Sequence, residues 1–147
     1  MGNYKYFLNF ARKFAQKMRY SLHLITRYPL SSLLIALIWY LCFLTPPQTG
    51  LEEVKNIDKW THTAMYLVTC LTIWAEYLYK HSKTDWRKVI LLAWAAPVVM
   101  SGIIEILQAN CTGGRRSGEW LDFVANTIGA TTALVIGILW AKYHAKG

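Results

Sequence analysis

The stretch VILLAWAAPVVMSGIIEIL, residues 89–107, decides the class of this chain. Its single ionisable residue, Glu105, lies near the end, and nearly all the other residues are apolar or small. A helix of roughly 20 such residues crosses the ~30 Å hydrocarbon core of a bilayer. The composition agrees, because 54% hydrophobic and 14% aromatic residues leave too little polar surface for a soluble domain. We therefore predict an all-α integral membrane protein.

Three further apolar stretches predict a four-transmembrane-helix bundle, formed as a single domain over residues 26–147. The predicted spans are residues 26–45, 60–79, 89–107 and 121–140. The first span has a short apolar core, residues 30–44, which would be only about 22 Å long as a helix. We therefore expect Arg27 to extend its charge toward the interface, and the helix either to begin before Pro29 or to kink there.

The distribution of Lys and Arg predicts the orientation, since cytoplasmic loops retain these residues. Twelve of the 16 lie in residues 1–28, between the second and third spans, or after the fourth. Both termini are thus predicted to be cytoplasmic, with the loops at 46–59 and 108–120 on the outer side. The net charge of +8 then indicates topology and attraction to anionic lipid. No basic groove with interleaved aromatic residues suggests nucleic-acid binding.

Residues 1–25 have the pattern of an amphipathic helix. Apolar side chains recur at steps of three and four residues, while most Lys and Arg lie elsewhere on the helical wheel. The apolar positions are Phe7, Phe10, Phe14, Met18, Leu22 and Ile25. We predict a basic interfacial helix that lies on the cytoplasmic surface, with membrane lipids as its partners and anchoring as its role.

Polar residues that are unusual inside a membrane protein concentrate at the predicted outer ends of the spans. Asp58 and His62, four residues apart, share one helix face, as do Asp122 and Asn126 on the fourth span. Ionisable groups at that depth are costly and usually either pair with one another or serve a site. We predict that one outer rim holds the candidate site residues Asp58, Lys59, His62, Tyr66, Glu105, Gln108, Arg116, Asp122 and Asn126.

These residue types suggest acid–base chemistry beside an anion-binding group. His62 is the candidate general acid or base, oriented by Asp58 or Asp122, and Glu105 completes the candidate catalytic set. Arg116 is the first candidate for engaging a phosphate or carboxylate, because a guanidinium binds such groups through two hydrogen bonds. The remaining substrate-binding candidates are Lys59, Tyr66, Gln108 and Asn126. The sequence carries no G-x-S-x-G or H-E-x-x-H motif, and we predict no cofactor.

The same residues allow other interpretations. The rim could have a purely structural role and hold the helices together, with Arg116 neutralising Glu105 or Asp122. A divalent metal held by His62, Glu105 and Asp122, with or without Asp58, is less favoured, so no metal is predicted. A non-catalytic binding protein would need the cations more than His62. A small-molecule transporter ranks last, because the spans carry few polar groups below the rim.

Elsewhere the sequence predicts structural roles for its unusual residues. Glu76 is expected to pair with Lys80, one helical turn further on. Asp85 is expected to cap the third span. Pro97 is expected to bend that span, because proline removes a backbone hydrogen bond from a helix.

The rim motifs also resemble those of a known family. They are DKxxHxxxY (58–66), ExxQ (105–108) and RSGEWLDxxxNTxG (116–129). In this order, and over about residues 44–137, they resemble the VanZ-like family of small bacterial membrane proteins, whose founding member is associated with resistance to the glycopeptide antibiotic teicoplanin. The resemblance implies the nine site residues above, the bacterial cytoplasmic (inner) membrane, and a lipid-linked, anionic or glycopeptide-related envelope ligand. Glu119 departs from the family, since a serine is common there.

Overall fold

The computed structural model describes residues 2–44, 57–113 and 118–144, and every regular element in these ranges is helical. The five helices are α1 (Gly2–Arg27), α2 (Pro29–Phe43), α3 (Ile57–Lys80), α4 (Trp86–Cys111) and α5 (Trp120–His144). α4 contains one π-helical turn, Leu91–Ala95, between two α-helical segments. The all-α class predicted from the sequence is confirmed for the described residues.

Two helices, α4 and α5, are long and apolar enough to cross a membrane. A third crossing is added if α1 and α2, which are bent by 104° at their junction, form one broken span. α3 has the length of a span, with 24 residues, but Asp58, Lys59 and Glu76 make it less apolar. The chain is therefore a helical membrane protein with two or three candidate spans by length and composition.

The junction between α1 and α2 lies at Tyr28 and Pro29. Tyr28 leaves the helical conformation, with φ −127° and ψ 65°, and Pro29 is the first residue of α2. Proline suits the first position of a helix, where the N–H group would have no partner within the helix. In a continuous helix its ring would clash with the carbonyl four residues earlier, which accounts for the break before it. The phenylalanines Phe7, Phe10 and Phe14 of α1 are exposed, which leaves them available to a lipid surface.

Glu76 of α3 is bonded to the start of α2, which differs from the predicted pairing with Lys80. Its Oε1 accepts a hydrogen bond from the backbone N of Leu30 at 3.1 Å, and its Oε2 accepts from the backbone N of Ser31 at 3.0 Å and from Ser31 Oγ at 2.6 Å. The first N–H groups of a helix have no partner within it, so an anionic acceptor stabilises them. Lys80 lies instead over the ring of Tyr28, with Nζ 5.4 Å from its centroid.

α3 and α5 form the most extensive helix pair of the bundle. Two glycines of α5 make this close approach possible. A Cβ atom at Gly129 would collide with the backbone carbonyl oxygen of Thr63, and one at Gly137 would collide with the indole of Trp74. The absence of a side chain at these two positions therefore fixes the α3–α5 distance, and with it the relative placement of polar residues on the two helices.

The first half of α4 carries a cap and an irregular turn. Asp85 accepts a hydrogen bond from the backbone N of Lys88 at 3.2 Å, which confirms the predicted N-cap. Pro97 cannot donate to the carbonyl of Ala93, four residues earlier. The expected irregularity takes the form of the π turn at Leu91–Ala95, immediately before the proline's own helical segment.

Candidate functional site

Polar side chains from three helices meet at the end of the bundle where α3 begins, α4 ends and α5 begins. We define the polar cluster as Asp58, Lys59 and His62 of α3, Ser101 and Glu105 of α4, and Glu119, Asp122 and Asn126 at the start of α5. His62, Ser101, Glu105, Asp122 and Asn126 are buried. A buried polar group is costly unless it is hydrogen-bonded, so each buried side chain of the cluster needs a partner.

A chain of hydrogen bonds crosses all three helices. His62 Nδ1 lies 3.1 Å from Asn126 Oδ1, and Asn126 Nδ2 donates to Ser101 Oγ at 2.8 Å. Because the amide oxygen can only accept, this arrangement makes Nδ1 the protonated, donating nitrogen of His62. The second ring nitrogen, Nε2, is then left to face the opposite direction.

Two aspartates lie on the Nε2 side of His62. Asp58 Oδ1 is 3.7 Å and Asp122 Oδ2 is 3.8 Å from this nitrogen, both longer than a hydrogen bond. The three atoms that these residues offer lie within 4.8 Å of one another. Asp58 and Asp122, the two alternatives predicted to orient His62, therefore both lie near its Nε2 without a direct hydrogen bond.

Lys59 holds the other oxygens of the same carboxylates. Its Nζ is 2.7 Å from Asp122 Oδ1, 2.7 Å from Glu119 Oε2 and 3.7 Å from Asp58 Oδ2. Burial lowers the pKa of Lys59, but the bonds to Asp122 and Glu119 outweigh it and raise the pKa above its usual range. Lys59 is therefore a permanent cation that orients both aspartates.

Glu105 and Glu119 connect the end of α4 to the start of α5. The backbone N of Glu119 donates to Glu105 Oε2 at 3.1 Å. This contact requires a glycine at position 118, since a Cβ atom there would collide with the carbonyl oxygen of Glu105. The side chain of Glu119, which the sequence marked only as a departure from the family, belongs to the cluster through Lys59. The feature of the sequence that could have indicated a role for Glu119 is an acidic residue next to the first turn of α5.

Tyr66 and Gln108 lie at the inner boundary of the polar cluster. Tyr66 is 1% exposed, and its hydroxyl faces Ser101 without a well-directed hydrogen bond within the described part of the chain. Gln108 Nε2 donates to the carbonyl of Cys42 at 2.7 Å, near the end of α2. Gln108 therefore ties α4 to α2, and this contact alone gives it no part in ligand binding. Ser101, which is not among the predicted site residues, belongs to the hydrogen-bonded chain through Asn126.

The structure brings together seven of the predicted site residues, with Gln108 bonded toward α2 and Arg116 outside the described residues. The seven are Asp58, Lys59, His62, Tyr66, Glu105, Asp122 and Asn126. Helical spacing predicted which of these residues share a face of one helix, and the packing of α3 and α4 against α5 brings those faces together.

An apolar groove of about 420 Å³ runs between α3 and α5 beside the polar cluster. It is lined by Lys59, Trp60, Thr63, Leu121, Val124, Ala125 and Ile128. Among the described lining residues Lys59 is the charged one, and the other side chains are apolar apart from Thr63, whose hydroxyl donates to the backbone oxygens of Lys59 and Ala125. The groove thus has an apolar body and ends at Lys59, whose ammonium is held by Asp122 and Glu119.

No family model, curated protein or solved structure matches the chain. The class that fold and composition define is an all-helical membrane protein with two or three candidate spans.

Proposed function

We propose that this chain is a VanZ-like protein of the bacterial cytoplasmic membrane that binds or processes an anionic envelope molecule at the polar cluster. The ligand is an envelope lipid or a related phosphate-bearing or glycopeptide-like molecule, and the physiological role is linked to glycopeptide resistance. In this proposal α2, α3, α4 and α5 cross the membrane, and α1 lies on its cytoplasmic surface. Both termini are cytoplasmic, and the polar cluster faces outward.

The groove between α3 and α5 is the observation that carries this proposal. An amphiphile needs an apolar surface for its acyl chain and a cation for its anionic head group. The groove offers both, with Val124 and Ile128 along its body and Lys59 at its end. Glu119, with 46% of its side chain exposed, is the partner of Lys59 that a head group can most readily displace. Arg116, three residues before Glu119 in the sequence, would add a second cation.

Filling the groove tests lipid binding directly. Ile128→Trp places an indole in the groove, while Ile136→Trp makes the same change at an exposed position two turns further along α5. Both proteins are purified in a mild detergent, and retained lipids are quantified by native mass spectrometry and lipid extraction. We expect Ile128→Trp to retain about tenfold less anionic lipid than wild type and Ile136→Trp. Equal lipid content in all three proteins would refute the groove as the binding site.

A non-catalytic binding role is the second candidate, and the His62–Asn126–Ser101 hydrogen bonds favour it because they join three helices as structural bonds do. Separate strains that express His62→Gln and Arg116→Ala distinguish the two roles. Processing predicts that both variants lose the resistance or lipid phenotype, whereas anion binding alone predicts that His62→Gln retains it. Membrane abundance of each variant is the control.

A further inference from the structure

The second ring nitrogen of His62, Nε2, lies in an unusual environment. The side chain is 3% exposed, and its Nδ1 is engaged by Asn126. Its Nε2 points into the space between Asp58 Oδ1 and Asp122 Oδ2 and makes no hydrogen bond with any described residue. With Nδ1 as the donor, Nε2 carries a lone pair, so three electron-rich atoms converge on one point.

No direct hydrogen bond fills this space. The nearest oxygen atoms to Nε2 lie at 3.7 and 3.8 Å, beyond the ~3.2 Å limit of N–H···O hydrogen bonds. Lys59 does not fill it either, because its ammonium contacts the opposite oxygen of each aspartate. A larger, more highly charged ion that binds all three atoms at once matches the convergence better.

We propose that His62 Nε2, Asp58 Oδ1 and Asp122 Oδ2 form a binding site for a divalent transition-metal ion, with Zn²⁺ as the first candidate. One imidazole with two carboxylates is a mixed N/O set that suits such ions, whereas Mg²⁺ prefers oxygen ligands alone. Glu105 is not in the set, because its Oε2 is bonded to the backbone of Glu119.

The three ligand atoms, which lie within 4.8 Å of one another, must move closer together to bind one ion. Ligands bound to tetrahedral Zn²⁺ at about 2.0–2.2 Å lie roughly 3.4 Å apart. His62 Nε2 is already 3.7 and 3.8 Å from the two carboxylate oxygens. Asp58 can make the remaining movement, since 55% of its side chain is exposed and it lies at the first turn of α3.

The groups around the three ligands have the arrangement that metal sites use. A metal-binding histidine usually donates its other ring N–H to an oxygen acceptor, and here Nδ1 donates to Asn126. Binding carboxylates are usually held by hydrogen bonds on their second oxygen, and here Lys59 lies at 2.7 Å from Asp122 Oδ1. The fourth position is open on the exposed side of Asp58, where water or an anionic group would bind.

Zinc binding by the full-length protein tests this site. The protein is purified in detergent with its affinity tag removed, stripped with a chelator, and dialysed against Zn²⁺ before metal analysis. Absorption of bound Co²⁺ reports the coordination geometry. We expect about one Zn²⁺ per chain, and at least tenfold weaker binding in His62→Gln and Asp58→Asn. His81→Gln is the matched control, because His81 lies at the other end of α3 and is bonded to Arg27.

Each outcome decides the proposal. Wild-type protein that binds no Zn²⁺ at micromolar concentration would overturn it, as would equal binding by wild type and Asp58→Asn. Mg²⁺ binding as tight as Zn²⁺ binding would indicate only an acidic surface, and would also overturn it. Asp58→Asn keeps the test valid if His62→Gln does not fold, since Asp58 is at an exposed position. Ile128→Trp should bind Zn²⁺ normally, so failure of the lipid proposal and failure of the metal site are distinguishable.

Discussion

The two ends of the bundle each use a buried carboxylate to connect helices, and they use it differently. At one end both oxygens of Glu76 accept hydrogen bonds from the start of α2, at 2.6 to 3.1 Å. At the other end Asp122 has one oxygen 2.7 Å from Lys59 and the second oxygen 3.8 Å from His62. A carboxylate with all its hydrogen bonds made is a structural group. One whose second oxygen faces another electron-rich atom has capacity left for a ligand.

Removing the carboxylate at the structural end should have the largest effect on stability. Glu76→Ala leaves two backbone N–H groups and the Ser31 hydroxyl without their acceptor. We expect the free energy of unfolding to fall by about 3 kcal/mol. The measurement is denaturant or thermal unfolding of the purified protein in one detergent.

Glu119→Ala is the matched control for this prediction. Its side chain is 46% exposed and its ion pair with Lys59 is partly hydrated, so its loss should cost under about 1 kcal/mol. Zn²⁺ binding by Glu76→Ala should be normal while the protein is folded. Equal destabilisation by Glu76→Ala and Glu119→Ala would contradict the structural role assigned to Glu76.

The two close contacts between α3 and α5 can separate stability from site geometry. Gly129→Ala and Gly137→Ala each force a methyl group into a filled space, and we expect each to destabilise the protein by about 2 kcal/mol. Only Gly129→Ala should also weaken Zn²⁺ binding, because Gly129 meets α3 beside His62, whereas Gly137 meets Trp74 three turns away.

Gly102→Ala controls for the substitution itself. Its added Cβ would meet the ring of Phe123 at 3.5 Å, which is ordinary contact, so we expect a change within about 0.5 kcal/mol or a small gain from higher helix propensity. If Gly137→Ala weakened Zn²⁺ binding as strongly as Gly129→Ala does, the metal site would depend on global packing rather than on local placement.

A smaller and more specific effect is expected from Asn126. Asn126→Ala removes the acceptor of His62 Nδ1 and the donor to Ser101, and should lower the free energy of unfolding by about 1.5 kcal/mol. Zn²⁺ affinity should fall by roughly 10- to 100-fold, because the imidazole loses its orienting partner. Thr127→Ala is the control, since Thr127 Oγ1 donates to the carbonyl of Phe123 in its own helix and to no other described residue. Unchanged zinc affinity in Asn126→Ala would contradict the positioning role.

Sequence patterns predicted one end of the molecule better than the other. Asp58 with His62, and Asp122 with Asn126, are four residues apart on helices, so local periodicity predicted that each pair shares one face of its helix. Glu76 was assigned to Lys80 by the same local rule, which missed its hydrogen bonds to the start of α2. These partners lie 45 and 46 residues away, and they become available only because the chain bends before α2.

The placement of Lys59 was also beyond local pattern. The sequence made it a candidate for binding an anionic substrate, but did not predict that its ammonium lies between Glu119 and Asp122. Glu119 can reach Lys59 because Gly118 lets the start of α5 lie directly on the end of α4. Such a contact depends on the approach of two backbones, which no spacing of residue types along the chain encodes.

The smallest expected effect concerns a second capping carboxylate, Asp85, which is exposed where Glu76 is buried. The backbone hydrogen bond from Lys88 is the main cause that lowers the pKa of Asp85 below its usual value of 3.8. A lowered pKa in the folded state means that the cap stabilises the protein above pH 3.8, and that this stabilisation is lost as the pH falls through the lowered pKa. Asp85→Ala should therefore lower Tm slightly and by a constant amount between about pH 5 and 8, with the difference from wild type vanishing in stronger acid. A difference that persisted at the lowest pH at which the protein is folded would show that Asp85 acts through packing rather than as an anionic cap.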